Sequence, residues 1–108
     1  MSDKNYSMKQ EQMAAYAKAL GHPARIAIMQ FLAGRAECYF GNIEEELPIS
    51  KATVSQHLSA LKEAGLIQGT IVGAKVRYCI NQQNCLLAQM LFGELFGQNI
   101  CKPTACCK

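Results

Sequence analysis

The segment ISKATVSQHLSALKEAGLI, Ile49 to Ile67, decides the architecture. Its apolar residues Val54, Leu58 and Leu61 recur at i, i+4 and i+7, the spacing of a single helical face. Ser50 stands where an N-cap is wanted, and Gly65 where a left-handed residue closes a helix. A helix is therefore predicted between them. With Val54, Leu58 and Leu61 turned inward, Ala52, Gln56, Ser59 and Glu63 point outward, Thr53 and Ser55 flank them, and Lys51 and Lys62 lie nearer the margins. That outer face is small, polar and mostly uncharged.

Upstream, AECYFGNIEEELPIS places Ile43 and Leu47 four apart on a short helix that Pro48 must end or closely follow. A short helix, a tight turn and a second amphipathic helix is the helix-turn-helix plan. Further back, PARIAIMQFLAG predicts a helix with Pro23 in its first turn. Ile26, Met29 and Leu32 fall near one face, and Ile28 and Phe31 widen it. MKQEQMAAYAKAL, Met8 to Leu20, predicts a first helix with Met13, Ala17 and Leu20 at helical spacing, stopped at Gly21. His22, before Pro23, supports a turn.

Downstream of Gly65 the period changes from helical to alternating. In LIQGTIVGAKVRYCI, Val76, Tyr78 and Ile80 point one way and Lys75, Arg77 and Cys79 the other, with Gly73-Ala74 as a tight hairpin turn. NQQNCLLAQMLFGELFGQN then opens on Asn81 as a cap. Leu86, Leu87, Met90, Leu91, Leu95 and Phe96 make this last helix apolar on most sides, so it needs a partner, and a second subunit is the economical source. The expected fold is mainly α with a small β-hairpin, a winged helix-turn-helix, dimeric through its first and last helices. Residues 8–98 would form this DNA-binding and dimerisation domain, residues 1–7 a flexible N-terminus and residues 99–108 a cysteine-rich tail.

A helix entering the DNA major groove needs short or amide side chains to reach base edges and lysines at its margins for phosphate. Thr53, Ser55, Gln56 and Ser59 supply the first and Lys51 and Lys62 the second. Gln56 has the donor and acceptor to pair bidentately with adenine. His57, at the edge of the buried face, is either a packing residue or a further base contact. Lys75 and Arg77 on the hairpin add a cationic contact to backbone or minor groove. The overall charge of +3 permits a polyanionic partner without requiring one. The polar start MSDKNYS and the absence of any run of about 18 apolar residues predict a cytoplasmic chain with no membrane span. In that reducing compartment its six cysteines should be thiols.

ALGHPARIAIMQFL, Ala19 to Leu32, and Ile49 to Ile67 resemble the two signature stretches of the ArsR/SmtB winged-helix repressors, and GAKVRYCI resembles their wing. The resemblance runs from about Met13 to Phe96. It implies a homodimer on a palindromic, double-stranded operator, released when a metal or metalloid binds. Arsenic sensors of this type carry Cys-Val-Cys before the recognition helix, where this chain reads Tyr39-Phe40-Gly41 with Cys38 one step upstream. Zinc sensors use Asp and His along the last helix, which here, from Asn81 to Gln98, offers only Glu94.

Ligands must then come from elsewhere, and Cys101, Cys106 and Cys107 cluster in ICKPTACCK, Ile100 to Lys108. Adjacent cysteines have Cα atoms only about 3.8 Å apart, below the usual disulfide minimum of about 4.4 Å, so Cys106 and Cys107 are better placed to share an ion than to bond. Pro103 favours a turn that lets three sulfurs converge, and Lys102 and Lys108 offset thiolate charge. Three soft ligands suit a thiophile. Trivalent arsenic or antimony forms three bonds to sulfur, whereas Zn(II) or Cd(II) would need a further ligand, for which Cys38 or a partner subunit is the candidate. Cys79 and Cys85 read as structural or incidental thiols. Response to oxidants or sulfide through a disulfide such as Cys38 to Cys101 is the competing mechanism. A thiol enzyme of arsenic metabolism is disfavoured, since no cysteine has Arg six residues on and no C-x-x-C pair exists.

Overall fold

The computed structural model describes residues 5–97 of the 108. Four helices, α1 (Met8–Ala19), α2 (Pro23–Ala33), α3 (Lys51–Ala64) and α4 (Gln82–Phe96), are joined by three strands, β1 (Tyr39–Phe40), β2 (Ile67–Val72) and β3 (Lys75–Ile80). A single 3-10 turn, Ile43–Glu45, stands where a short helix was expected. Pro48, three residues beyond its end, leaves no length for a longer one.

Each helix begins on a residue whose side chain accepts an otherwise orphaned backbone N–H. Ser7 accepts from the Gln10 N–H at 3.1 Å and donates its own N–H to Gln10 Oε1 at 2.9 Å, a reciprocal capping box. His22 Nδ1 accepts from the Ala24 N–H at 3.0 Å ahead of Pro23, so the turn histidine is the cap of α2. Ser50 Oγ and Asn81 Oδ1 cap α3 and α4, each at 3.1 Å. Gly65 ends α3 at φ 86°, a conformation only glycine adopts without cost.

The core is one cluster: Tyr16 and Ala19 from α1, Ile28 and Leu32 from α2, Val54, Leu58 and Leu61 from α3, Leu91 from α4, with Tyr39, Ile43, Leu66 and Ile67 from the connections and sheet. The inward faces of the first two helices are rotated from expectation. Tyr16 and Ala19 are buried where Ala17 is exposed, and Ile28 and Leu32, four apart, take the inner stripe while Ile26 is 41% exposed.

The sheet is antiparallel in the order β1-β3-β2. Gly73-Ala74 joins β2 to β3 as expected, with Gly73 at φ 63°. The third strand was not expected from sequence. Tyr39 pairs with Tyr78 and Phe40 with Arg77, so the wing is pinned to the segment that leads into the helix-turn-helix. Tyr39 lies on the core face, opposite Tyr78 and edge-on to Phe31 at 5.0 Å.

Candidate nucleic-acid interface

Because Val54, Leu58 and Leu61 are buried, α3 presents Lys51, Ala52, Ser55, Gln56, Ser59, Lys62 and Glu63 to solvent. Thr53 is half-buried, and its hydroxyl donates to the Ser50 carbonyl at 3.2 Å, which adds to the cap rather than to the outer face. Lys62 lies across the start of the wing: a Cβ at Gly69 would fall 3.2 Å from its Nζ. The bare backbone of Gly69 gives that lysine its path, placing its charge between α3 and β2. Lys75 is exposed at the hairpin end, and Arg77 is half-buried two residues along the same strand face. The guanidinium Nε of Arg77 is buried with no hydrogen-bond partner among the described residues.

His57 departs from its place in the candidate set. It is only 7% exposed, and Nδ1 of its ring accepts from Arg25 Nε at 3.1 Å. The same guanidinium donates through Nη1 to the Ala19 carbonyl at 3.4 Å, so Arg25 ties the end of α1 to the middle of α3. His22 stacks obliquely at 4.5 Å between ring centres. Burial, and then the proximity of His22 and the Arg25 guanidinium, push the His57 pKa below its ordinary 6.5, which favours the neutral ring. His57 thus holds the helix from behind and does not face outward. Helical spacing puts residue 57 between the inner and outer faces, and only the arginine 32 positions upstream decides which it joins.

A second network joins α3 to α4. Asn84 Nδ2 donates to the Gly65 carbonyl at 2.9 Å, and the Asn81 N–H donates to the Leu66 carbonyl at 2.9 Å. The Cys85 thiol donates to the same Leu66 carbonyl at 3.8 Å, and burial raises its pKa, which makes it a poor nucleophile. The reading of Cys85 as a structural thiol fits this geometry.

The other cysteines require corrections. Cys38 immediately precedes β1 and stands opposite Cys79, one step beyond the Tyr39–Tyr78 pair, and the two form a disulfide with Cα atoms 4.6 Å apart. Cys79 is therefore not incidental, these two residues are not free thiols, and the Cys38 sulfur is engaged with the wing rather than held ready for the tail. The disulfide partner anticipated for Cys38 was Cys101; the strand register supplies Cys79 instead. Cys101, Cys106 and Cys107 lie outside the described residues. Among the described residues, no group of three or more His, Cys, Asp or Glu side chains converges to hold a metal ion.

No helix among the described residues is long and apolar enough to cross a membrane. The family model described as "Bacterial regulatory protein, arsR family" matches residues 22–68, from the cap of α2 to the start of the wing. The HTH-type transcriptional regulator CmtR of Mycobacterium tuberculosis is 35% identical over 88 residues, 82% of this chain and 71% of that protein. A probable mercury resistance operon repressor of Streptomyces lividans is 30% identical over 93 residues, 86% of this chain and 74% of its own. The solved structure titled as the cadmium metal-sensor CMTR from M. tuberculosis superposes with a TM-score of 0.55 at 30% identity, covering 89% of this chain and 97% of that one. A polar-faced second helix with a wing behind it, and relatives 30–35% identical over most of their length, leave one assignment: this chain belongs to the ArsR family of bacterial regulatory proteins, DNA-binding winged-helix transcriptional regulators rather than enzymes.

Proposed function

We propose that the chain is a cytoplasmic, homodimeric repressor that occupies a palindromic operator and leaves it when a thiophilic metal or metalloid ion binds. The observation that carries the DNA half is the outer face of α3, where exposed Ser55, Gln56 and Ser59 stand between Lys51 and Lys62, with Lys75 and Arg77 on the wing beyond. Side chains of this kind reach base edges, and the cations at the margins meet phosphate. Residues 8–98 are the DNA-binding and dimerisation unit, and residues 99–108 the sensing tail.

For the ion, As(III) or Sb(III) on Cys101, Cys106 and Cys107 is the reading the donor set supports, because three thiolates complete the bonding of a trivalent metalloid. Cd(II) or Zn(II) is the second reading, favoured by the likeness to a cadmium sensor. It requires a fourth ligand from outside the three tail cysteines. Ligand that prefers the free dimer must lower DNA affinity by the same factor by which DNA lowers ligand affinity.

The test follows occupancy of a palindromic duplex while As(III), Sb(III), Cd(II), Zn(II) or peroxide is added. Release by As(III) or Sb(III) alone, abolished in a C101A/C106A/C107A variant, is the expected result. Release by Cd(II) alone shifts the reading to a divalent sensor, and release by peroxide alone to a thiol-redox one.

A further inference from the structure

Arg25 stands half-buried at the start of α2, donates to the His57 ring at 3.1 Å and to the Ala19 carbonyl at 3.4 Å, and has no carboxylate partner among the described residues. A guanidinium partly withdrawn from water without a counter-charge is destabilising, because no anion offsets its lost hydration. Its remaining N–H donors, on Nη1 and Nη2, are free to meet one.

Arg25 and His57 share the wall of a cavity of about 430 Å³ between the N-terminal ends of α2 and α3. One water occupies a share of about 30 Å³, so a ligand here displaces solvent and not side chains. No acidic residue lines the cavity. His57 Nδ1 accepts from Arg25, so the proton of the neutral ring sits on Nε2. That N–H has no hydrogen-bond partner among the described residues, although the side chain is only 7% exposed and the space beside it is this cavity. Ser50 Oγ accepts from the Ala52 N–H and keeps its own hydroxyl proton to donate. The backbone of α2 adds little, since Pro23 has no N–H and those of Ala24 and Arg25 are taken by the His22 ring and carbonyl. The free donors are side chains, and together they suit an anion.

We infer that this cavity receives one backbone phosphate of the operator in each subunit, bound by the Arg25 guanidinium with the His57 Nε2–H and the Ser50 hydroxyl beside it. DNA is the source because the cavity opens next to Gln56, in the N-terminal half of α3 that meets base edges, and phosphates border that groove. The inference therefore rests on the DNA-binding reading above. Arg25 differs from the exposed Lys51 and Lys62 in being held at two points before DNA arrives, so less side-chain freedom is lost on contact. His57 acts on both sides of its ring: Nδ1 aims the guanidinium, and Nε2–H faces the same phosphate.

The experiment uses the full-length native chain and R25Q, with a palindromic duplex that the native protein enriches from a random pool and an unrelated duplex as probes. R25Q should weaken both duplexes alike, by about tenfold, as for loss of a charge-assisted hydrogen bond, and reduce the slope of log affinity against log salt by about 1. Methylphosphonate, which neutralises one phosphate at a time, should weaken native binding at one position in each half-site and leave R25Q binding unchanged there. A merely structural arginine would show no such coupling. In the native complex the His57 Nε2–H should shift downfield and exchange more slowly with water in nitrogen-edited proton NMR, a measurement that decides the matter if circular dichroism shows R25Q unfolded. A native salt slope in folded R25Q, no phosphate whose neutralisation is silent in R25Q alone, or an unmoved His57 Nε2–H each overturns the site. Inorganic phosphate that binds there tightly and is not displaced by duplex overturns DNA as the source. A native chain that binds neither duplex refutes the repressor reading together with the site, whereas duplex binding indifferent to Arg25 refutes the site alone.

Discussion

His57 and Gly65 show how single residues set the posture of α3. The neutral His57 ring accepts from Arg25 and is buried, so protonation would put a second cation beside the guanidinium and His22. Its folded pKa is depressed. The unfolded chain therefore takes up the proton first as pH falls below about 6.5, and stability fully present above that pH is lost on acidification until the folded ring also titrates. The unfolding free energy of the native chain should fall between pH 7.5 and pH 5 more steeply than that of H57Q, which keeps an acceptor for Arg25 but does not titrate. Parallel pH profiles in urea titrations would remove His57 as the cause. Gly65 acts sterically. At φ 86°, a Cβ there would meet Asn84 Nδ2 at 2.7 Å, displacing the amide that donates to the Gly65 carbonyl. The left-handed strain alone costs about 1–3 kcal/mol. G65A should lower the unfolding free energy by at least that much, and a loss below about 0.5 kcal/mol would show that the α3–α4 connection tolerates the shift.

Among the elements, α3 and the wing were the most legible because each repeats a spacing long enough to read. Val54, Leu58 and Leu61 mark one helical face, and the alternation from Lys75 to Ile80 marks the strand, with Gly73-Ala74 turning between. β1 was illegible because two residues carry no period, and it exists only through pairing with a strand nearly forty positions away. The Cys38–Cys79 bond was hidden for the same reason: its partners become neighbours only once that register is known. The inward faces of α1 and α2 were misjudged because both helices are apolar on more than one side, so periodicity left their rotation to tertiary packing. On the wing, Lys75 is exposed and free to meet phosphate. In K75A, operator affinity should weaken across all sequences, and the slope of log affinity against log salt should shrink in magnitude by about 1. An unchanged slope would place the wing tip off the backbone.

For the molecule as a whole, the unfinished surface lies along its outer helices. Leu86 and Met90, four apart on α4, are 64% and 51% exposed, and Phe96 farther along is 55% exposed. On α1, Met8 is 87% exposed, and Lys9 pairs with Glu94 of α4 at 3.6 Å, which sets the two helices side by side. Isolated exposed apolar residues are ordinary, but large ones grouped along neighbouring helices mark an interaction surface. A second copy of the chain is the occupant we propose, since a palindromic operator requires two recognition helices in fixed register. Burying the exposed parts of Leu86 and Met90 would contribute about 1 kcal/mol each per subunit. A charge at either position would reverse that gain and leave an unpaired carboxylate in the interface. L86E/M90E should therefore sediment as a monomer at concentrations where the native chain is dimeric, keep its helical circular dichroism, and bind a full palindrome no better than a half-site. If the variant remains dimeric with native operator affinity, the subunits meet elsewhere, and the apolar stripe on α4 serves another partner.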